Sequence, residues 1–112
     1  MMERECGMEQ KQMRILQEFA GKLRCTYPGA QIWAFGSYAR GTATAESDLD
    51  IMVVLPQMQQ DDRFVVSDIA WEIGFAHGLH LSTVVVSKEN FEQGPVSASP
   101  LLDVIRNEGI PA

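Results

Sequence analysis

Four residues in this chain are of a type and spacing that could do chemistry together: Gly36, Ser37, Asp48 and Asp50, with ten residues between the serine and the first aspartate. Asp48 and Asp50 stand two apart on an apolar run, Leu49 to Leu55. On a strand that spacing points both carboxylates to one face, about 6.5 Å apart at their backbones. Two carboxylates on one face of a buried strand repel each other and lose solvation, so a positive charge should sit between them. Magnesium answers that need: it takes oxygen ligands and is often held by one or two carboxylates plus the phosphates of a substrate. Gly36 permits a sharp turn that exposes backbone amides, and the Ser37 hydroxyl adds a donor. Successive N–H groups in such a turn make a concave anion site. Anion cradle and metal carboxylates on neighbouring strand ends describe a site for a nucleoside triphosphate. Each half alone reads more readily as an ordinary turn or a capped strand edge, and it is the combination that points to a site. No Gly-Lys-Ser or Gly-Lys-Thr follows the first glycine, so the stretch is not a P-loop.

The full stretch, Gly36-Ser37-Tyr38-Ala39-Arg40-Gly41-Thr42 followed by Ser47-Asp48-Leu49-Asp50-Ile51, resembles the signature of the nucleotidyltransferase superfamily. It looks most like the minimal nucleotidyltransferases, the small antitoxin-type members. The resemblance implies an α/β (α+β) nucleotidyltransferase fold, a small mixed sheet of three or four strands flanked by helices. It implies magnesium-dependent transfer of AMP from ATP to a hydroxyl, with Gly36, Ser37 and Arg40 on the nucleotide and Asp48 and Asp50 as catalytic metal ligands. In that family the acceptor is commonly a tyrosine of a co-encoded HEPN-type ribonuclease toxin, which the modification silences. A chain of this length leaves no room for the added domain with which antibiotic-modifying relatives hold a sugar. One departure stands out. Many superfamily members carry a third acidic residue on the next strand, and the run of the chain puts Ser82 in that place. The alternative implied is a catalytically degenerate module that neutralises its toxin by binding alone.

The elements that must position these residues follow from pattern. A stripe of Ile15, Leu16, Phe19, Ala20 and Leu23 predicts a helix over about 8–24, ended by Tyr27-Pro28-Gly29. Residues 31–35 predict a short strand buried on both faces, with Trp33 as a core residue. Tyr38-Ala39-Arg40 predicts a helical turn, which sets Gly36-Ser37 at a helix start. Arg40 has two readings, a phosphate or partner contact, or a pair with Glu46 or a site aspartate. Tyr38 has two as well, packing or a nucleobase contact. The second strand is expected over 48–55, ending at Pro56. A helix capped by Asp61 or Asp62 should run to about His77 on a stripe of Val66, Ile69, Ala70, Ile73 and Ala76. Gly74 inside it suits close packing, Gly78 should stop it, and His77 should face its last carbonyls. Asp68 and Glu72 read as a solvated face rather than a second metal pair. A third strand is expected over 79–86, with His80, Ser82, Val84 and Val86 on one face. His80 there is either structural or a stand-in for the missing base. Ser87 should cap a short turn through Phe91, Gly94-Pro95 should break it, and Ser99-Pro100 should open a last helix packed by Leu101, Leu102, Val104 and Ile105 and ended by Gly109.

Composition bounds the rest. At 112 residues the chain is expected to form a single nucleotidyltransferase domain over 1–112, with enough apolar content (46%) for one core. A net charge of −6 argues against direct nucleic-acid binding, which needs a basic footprint. Cys6 and Cys25 lack metal-ligand spacing and read as free thiols in a reducing compartment. With no signal peptide at Met1-Met2-Glu3 and no apolar run long enough to span a membrane, a cytoplasmic protein is expected. Its oligomeric state stays open.

Overall fold

A computed structural model describes residues 9–44, 46–93 and 100–112. Helix α1 (Gln10–Thr26) forms on the expected stripe, and all five residues of that stripe are buried. It stops where the Tyr27 amide closes on the Leu23 carbonyl at 2.8 Å. Strand β1 (Gln31–Phe35) runs directly into the short helix α2 (Gly36–Arg40), and a loop leads to β2 (Leu49–Leu55). Helix α3 (Asp62–His77) crosses to β3 (Leu81–Ser87), α4 (Lys88–Gln93) follows at once, and α5 (Pro100–Glu108) leads to a two-residue strand, β4 (Ile110–Pro111).

The sheet has the order β3-β2-β1-β4 and is mixed. β1 is antiparallel to β2 and β4, while β2 and β3 are parallel. A parallel pair needs a long crossover, and α3 supplies it. One face of the sheet buries Ile32, Ala34, Leu49, Ile51, Val53, Leu81 and Val85 against α1 and α3. The other gathers Met52, Val54, Val86 and Ile105, with Trp33 and Phe91 stacked beside them at 5.5 Å. β2 is therefore covered on both sides, which is why its sequence is a continuous apolar run rather than an alternating one. β1 is less enclosed than expected: Ile32 and Ala34 are buried, while Trp33 and Phe35 are half-buried.

Several expectations change in detail. Asp48 lies one residue ahead of β2, and β3 starts at Leu81 rather than 79. Asp61 occupies the N-cap of α3 but makes no side-chain cap bond. Asp62 instead accepts from the Gln59 amide at 2.6 Å and the Tyr27 hydroxyl at 2.8 Å, binding the loop to the end of α1. Burial and that carboxylate push the Tyr27 phenol up to about 12. His77 turns from its own helix end to Glu18 of α1 at 2.9 Å, and Ala76 is exposed while Gly74 takes the buried place. Ser87 caps α4 as expected, accepting from the Asn90 amide at 3.1 Å. β4 has no counterpart in the element-by-element sequence reading. It is held by the Ala112 amide on the Ile32 carbonyl at 3.0 Å and by Arg24, which reaches the carbonyls of Ala30 and Ala112 at 3.1 and 2.7 Å. Cys25 is an exposed free thiol, whereas Cys6, Gly94-Pro95 and Ser99 lie outside the described residues. Among the described residues no helix is long and apolar enough to cross a membrane.

Gly74 gives a sharp test of this packing. Helix propensity alone favours alanine over glycine by about 1 kcal/mol. A Cβ at Gly74, however, would collide with the Leu79 backbone carbonyl and crowd Leu81. Backbone cannot swing aside as a side-chain tip can, so the clash wins. Gly74→Ala should lose about 1–3 kcal/mol of stability in urea unfolding; a stabilised variant would show that α3 and β3 are not this close.

Candidate functional site

The antiparallel register of β1 and β2 sets Phe35 opposite Asp50. Gly36, the next residue, then turns back over the Asp50 side chain. Its φ of +79° is open to glycine and strained for other residues. A Cβ there would overlap the Asp50 carboxylate and stand 3.2 Å from its Cγ. Two independent reasons thus require glycine at this position. Ser37 begins the first turn of α2, and its carbonyl accepts from the Thr42 amide at 2.9 Å as the helix closes. Across the next loop the Ser47 hydroxyl accepts from the Thr44 amide at 2.9 Å, which sets the approach of Asp48.

Asp50 is half-buried and Asp48 is exposed. Burial raises the Asp50 pKa above the usual carboxylate range, the charge of Asp48 raises it further, and Arg40 acts the other way. Arg40 is thus close enough to be felt at Asp50, but its guanidinium also pairs with Glu108 of α5 at 3.4 Å. Glu108 was not anticipated, and nothing in the local pattern marks it. Tyr38 packs half-buried against the main core, which is the packing role of the two open to it. His80 stands beside Asp48, with Nδ1 3.3 Å from Oδ2 and both side chains at least half exposed. The Leu49 amide donates to the His80 carbonyl at 2.9 Å, so backbone pairing holds the two together. Its position two before Ser82 on the same strand face was the only sequence signal for this contact.

Ser82 is the register partner of Asp50 across the parallel pair. Adjacent partners on parallel strands face the same side, so a serine stands where a third carboxylate would meet the pair. Among the described residues no cluster of three His, Cys, Asp or Glu side chains is arranged to hold a metal ion. The residues present nonetheless fit a hard divalent cation that brings other ligands with it. The donors are carboxylate oxygens, and their mutual repulsion is only partly offset by Arg40.

The chain belongs to the nucleotidyltransferase domain family, whose model matches residues 14–107. A Methanocaldococcus jannaschii protein named as a candidate protein adenylyltransferase is 36% identical over 85 residues, covering 70% of this chain and 58% of its own length. A second such protein from the same organism is 34% identical over 82 residues, covering 71% of this chain and 78% of its own length. This chain therefore spans little more than half of the first relative. Among solved structures, a mutant of the toxin–antitoxin pair MntA-HpeT aligns with a TM-score of 0.59 at 21% identity, over 85% of this chain and 69% of the other. A nucleotidyltransferase-like protein of Sulfolobus solfataricus aligns at 0.52 and 17% identity, over 99% of this chain and 90% of the other. At those identities the structures speak for the fold: mixed α/β, with a four-stranded sheet flanked by helices.

Two expected outcomes follow from the carboxylates. A group whose pKa is raised by folding costs stability once ionised, and the cost disappears below its unfolded pKa of about 3.9. In a chelator, Asp50→Asn should therefore melt above the parent at pH 7, and the two should converge as pH falls below about 4. A gap that widens toward low pH would reverse the sign. Ser82→Asp should add a third repelling charge, melting below the parent in a chelator. Manganese should then raise its melting temperature more than the parent's by about 4 °C or more, which roughly 1 kcal/mol gives in a chain of this size. An equal metal response in both proteins would mean that Ser82 does not face the carboxylates.

Proposed function

We propose that this chain transfers AMP from ATP to a hydroxyl of a partner protein, with magnesium held by Asp48 and Asp50 and the triphosphate by Gly36, Ser37 and Arg40. The observation that carries the reading is the left-handed Gly36 turn laid over Asp50, because it puts the turn read as an anion cradle against a carboxylate read as a metal ligand. Family membership and the names of the two archaeal relatives support transfer to a protein acceptor. The MntA-HpeT likeness supports a toxin, of the HEPN type the motif suggests, as that acceptor. We read residues 1–112 as one nucleotidyltransferase domain acting in the cytoplasm, where ATP and magnesium are at hand.

In this reading the turn amides and the Ser37 hydroxyl orient the phosphates, and Arg40 adds charge once drawn from Glu108. Bound magnesium supplies charge neutralisation at the reacting phosphate. Asp48 and Asp50 fix where that charge sits. The acceptor oxygen forms a bond to the α-phosphorus, the bond to the bridging oxygen breaks, pyrophosphate leaves, and the hydroxyl proton passes to solvent or to an adjacent base. His80 stands beside Asp48, within reach of the carboxylate pair.

Ser82 opposite Asp50 favours a second reading, in which the fold neutralises its toxin by contact and transfers little or nothing. Incubating the chain with its co-encoded partner, labelled ATP and magnesium separates the two. Transfer predicts label on the partner, with a loss of about 100-fold or more in Asp48→Asn and in Asp50→Asn. Full labelling by a folded double variant would sink the assignment. A silenced toxin carrying no label would establish the second reading.

A further inference from the structure

We propose that the outer face of α3 is the docking surface for the acceptor protein, and that this partner is basic and lays an apolar segment along Phe64, Trp71 and Phe75. The inference rests on the transfer reading above and names where its second substrate is held. Positions 64, 71 and 75 are spaced seven and four apart, so they share one side of the helix, opposite the buried Val66, Ala70 and Ile73. Their exposures are 72%, 65% and 76%. An ordinary surface helix has one apolar stripe; α3 has two, and an apolar face of that kind is covered in the working protein. Trp71 and Phe75 are already stacked, with ring centroids 5.1 Å apart and planes within 10°. A rigid aromatic pair loses little conformational freedom on binding, which is why such residues anchor interfaces.

Two observations select the occupant. The first is continuity with the candidate site. Trp71 and Phe75 open onto a groove of about 380 Å³ on the α3 face of the sheet, which passes Leu79 and Leu81 and reaches the sheet edge at His80. Asp50 and Ser82 lie on the opposite face, and His80, which meets Asp48 at 3.3 Å, joins the two round that edge. Gly36 and Ser37 flank the carboxylates from the β1 side, so the nucleotide enters there and the β3 side is left for the acceptor. The second is charge. Asp68 is exposed within the aromatic stripe, four residues after Phe64 and three before Trp71, and the chain carries −6 overall. If α3 paired antiparallel with a second copy, placing Phe64 over its mate's Phe75, each Asp68 would be pressed against the mate's Trp71, with the two carboxylates only about 4.5 Å apart along the helix axis, and both would lose water. Nucleic acid and anionic membranes are repelled by the same sign of charge. A basic protein surface is the complementary occupant.

The test uses the full chain and its co-encoded partner protein. The double variant Trp71→Ala, Phe75→Ala removes exposed rings only, so its melting temperature and its shift with magnesium-ATP should match the parent's. Its affinity for the partner should fall about 30-fold or more by calorimetry. The acceptor KM should rise in parallel while kcat stays near the parent's. Asp68→Lys should weaken binding by about 10-fold, and parental affinity should fall with added salt. Partner affinity and KM within twofold of the parent would overturn the proposal. So would a parental dimer in sedimentation that the double variant breaks, or loss in that variant of binding to RNA or phosphatidylglycerol vesicles instead of the protein. The two readings fail separately. Partner binding that needs Trp71 and Phe75, with no label transferred by the parent, keeps the docking surface and removes the transfer. Label transferred normally by the double variant does the reverse.

Discussion

The contact between Gly36 and Asp50 is the constraint on which the rest of the site depends. It arises because β1 and β2 run antiparallel with Phe35 opposite Asp50, so the first residue beyond β1 must pass over that carboxylate. Only a residue without a Cβ can do so, and the same residue must hold a positive φ. The turn, the start of α2 and the placing of Ser37 all follow. A one-residue slip in the register would turn Asp50 into the core and Ile51 toward the site, which the burial of Ile51 on the α1 side forbids.

The arrangement is electrostatically unfinished in the protein alone. Asp50 is half-buried beside a second carboxylate, and its raised pKa measures the cost of both. Arg40 offsets part of that cost while shared with Glu108 from the last helix. Ionised Asp50 therefore costs stability, as like charges gathered on one face commonly do. The rest of the chain carries the burden through ordinary burial, with both faces of β2 packed and α1 and α3 closed over one of them.

The ends of the sheet differ in character. β4 closes the β1 side through Arg24 and the Ala112 amide, so that flank is covered by the chain itself. The β3 side has no further strand among the described residues, and it is there that the aromatic face of α3 and the groove to His80 lie. In the function proposed above, a nucleotide on the covered flank and a protein on the open one would meet at the carboxylates between them.

Much of this was legible in the sequence, for local reasons. The stripe of α1, the limits of β1, the turn at Gly36, the Ser87 cap and the alternation of β3 each depend on neighbours within a few residues, and periodicity and backbone preference report such neighbours directly. The pairing of Asp48 with Asp50 was legible for the same reason, since period two needs no partner strand. What the sequence left open depended on residues brought together from far apart. His77 chose Glu18 of another helix over its own carbonyls, Asp62 bound Tyr27 rather than serving as a cap, and Arg40 found Glu108. β4 is two residues long, too short to show a pattern, and exists because β1 offers it a free edge. The sequence by itself determined which residues form the Gly36 turn and the carboxylate pair. The run of the chain also put Ser82 beside them, and the register agrees. Tertiary structure alone decided that Gly36 and Asp50 touch and that the aromatic face of α3 points outward, because strand register and helix rotation are set by packing over the whole core.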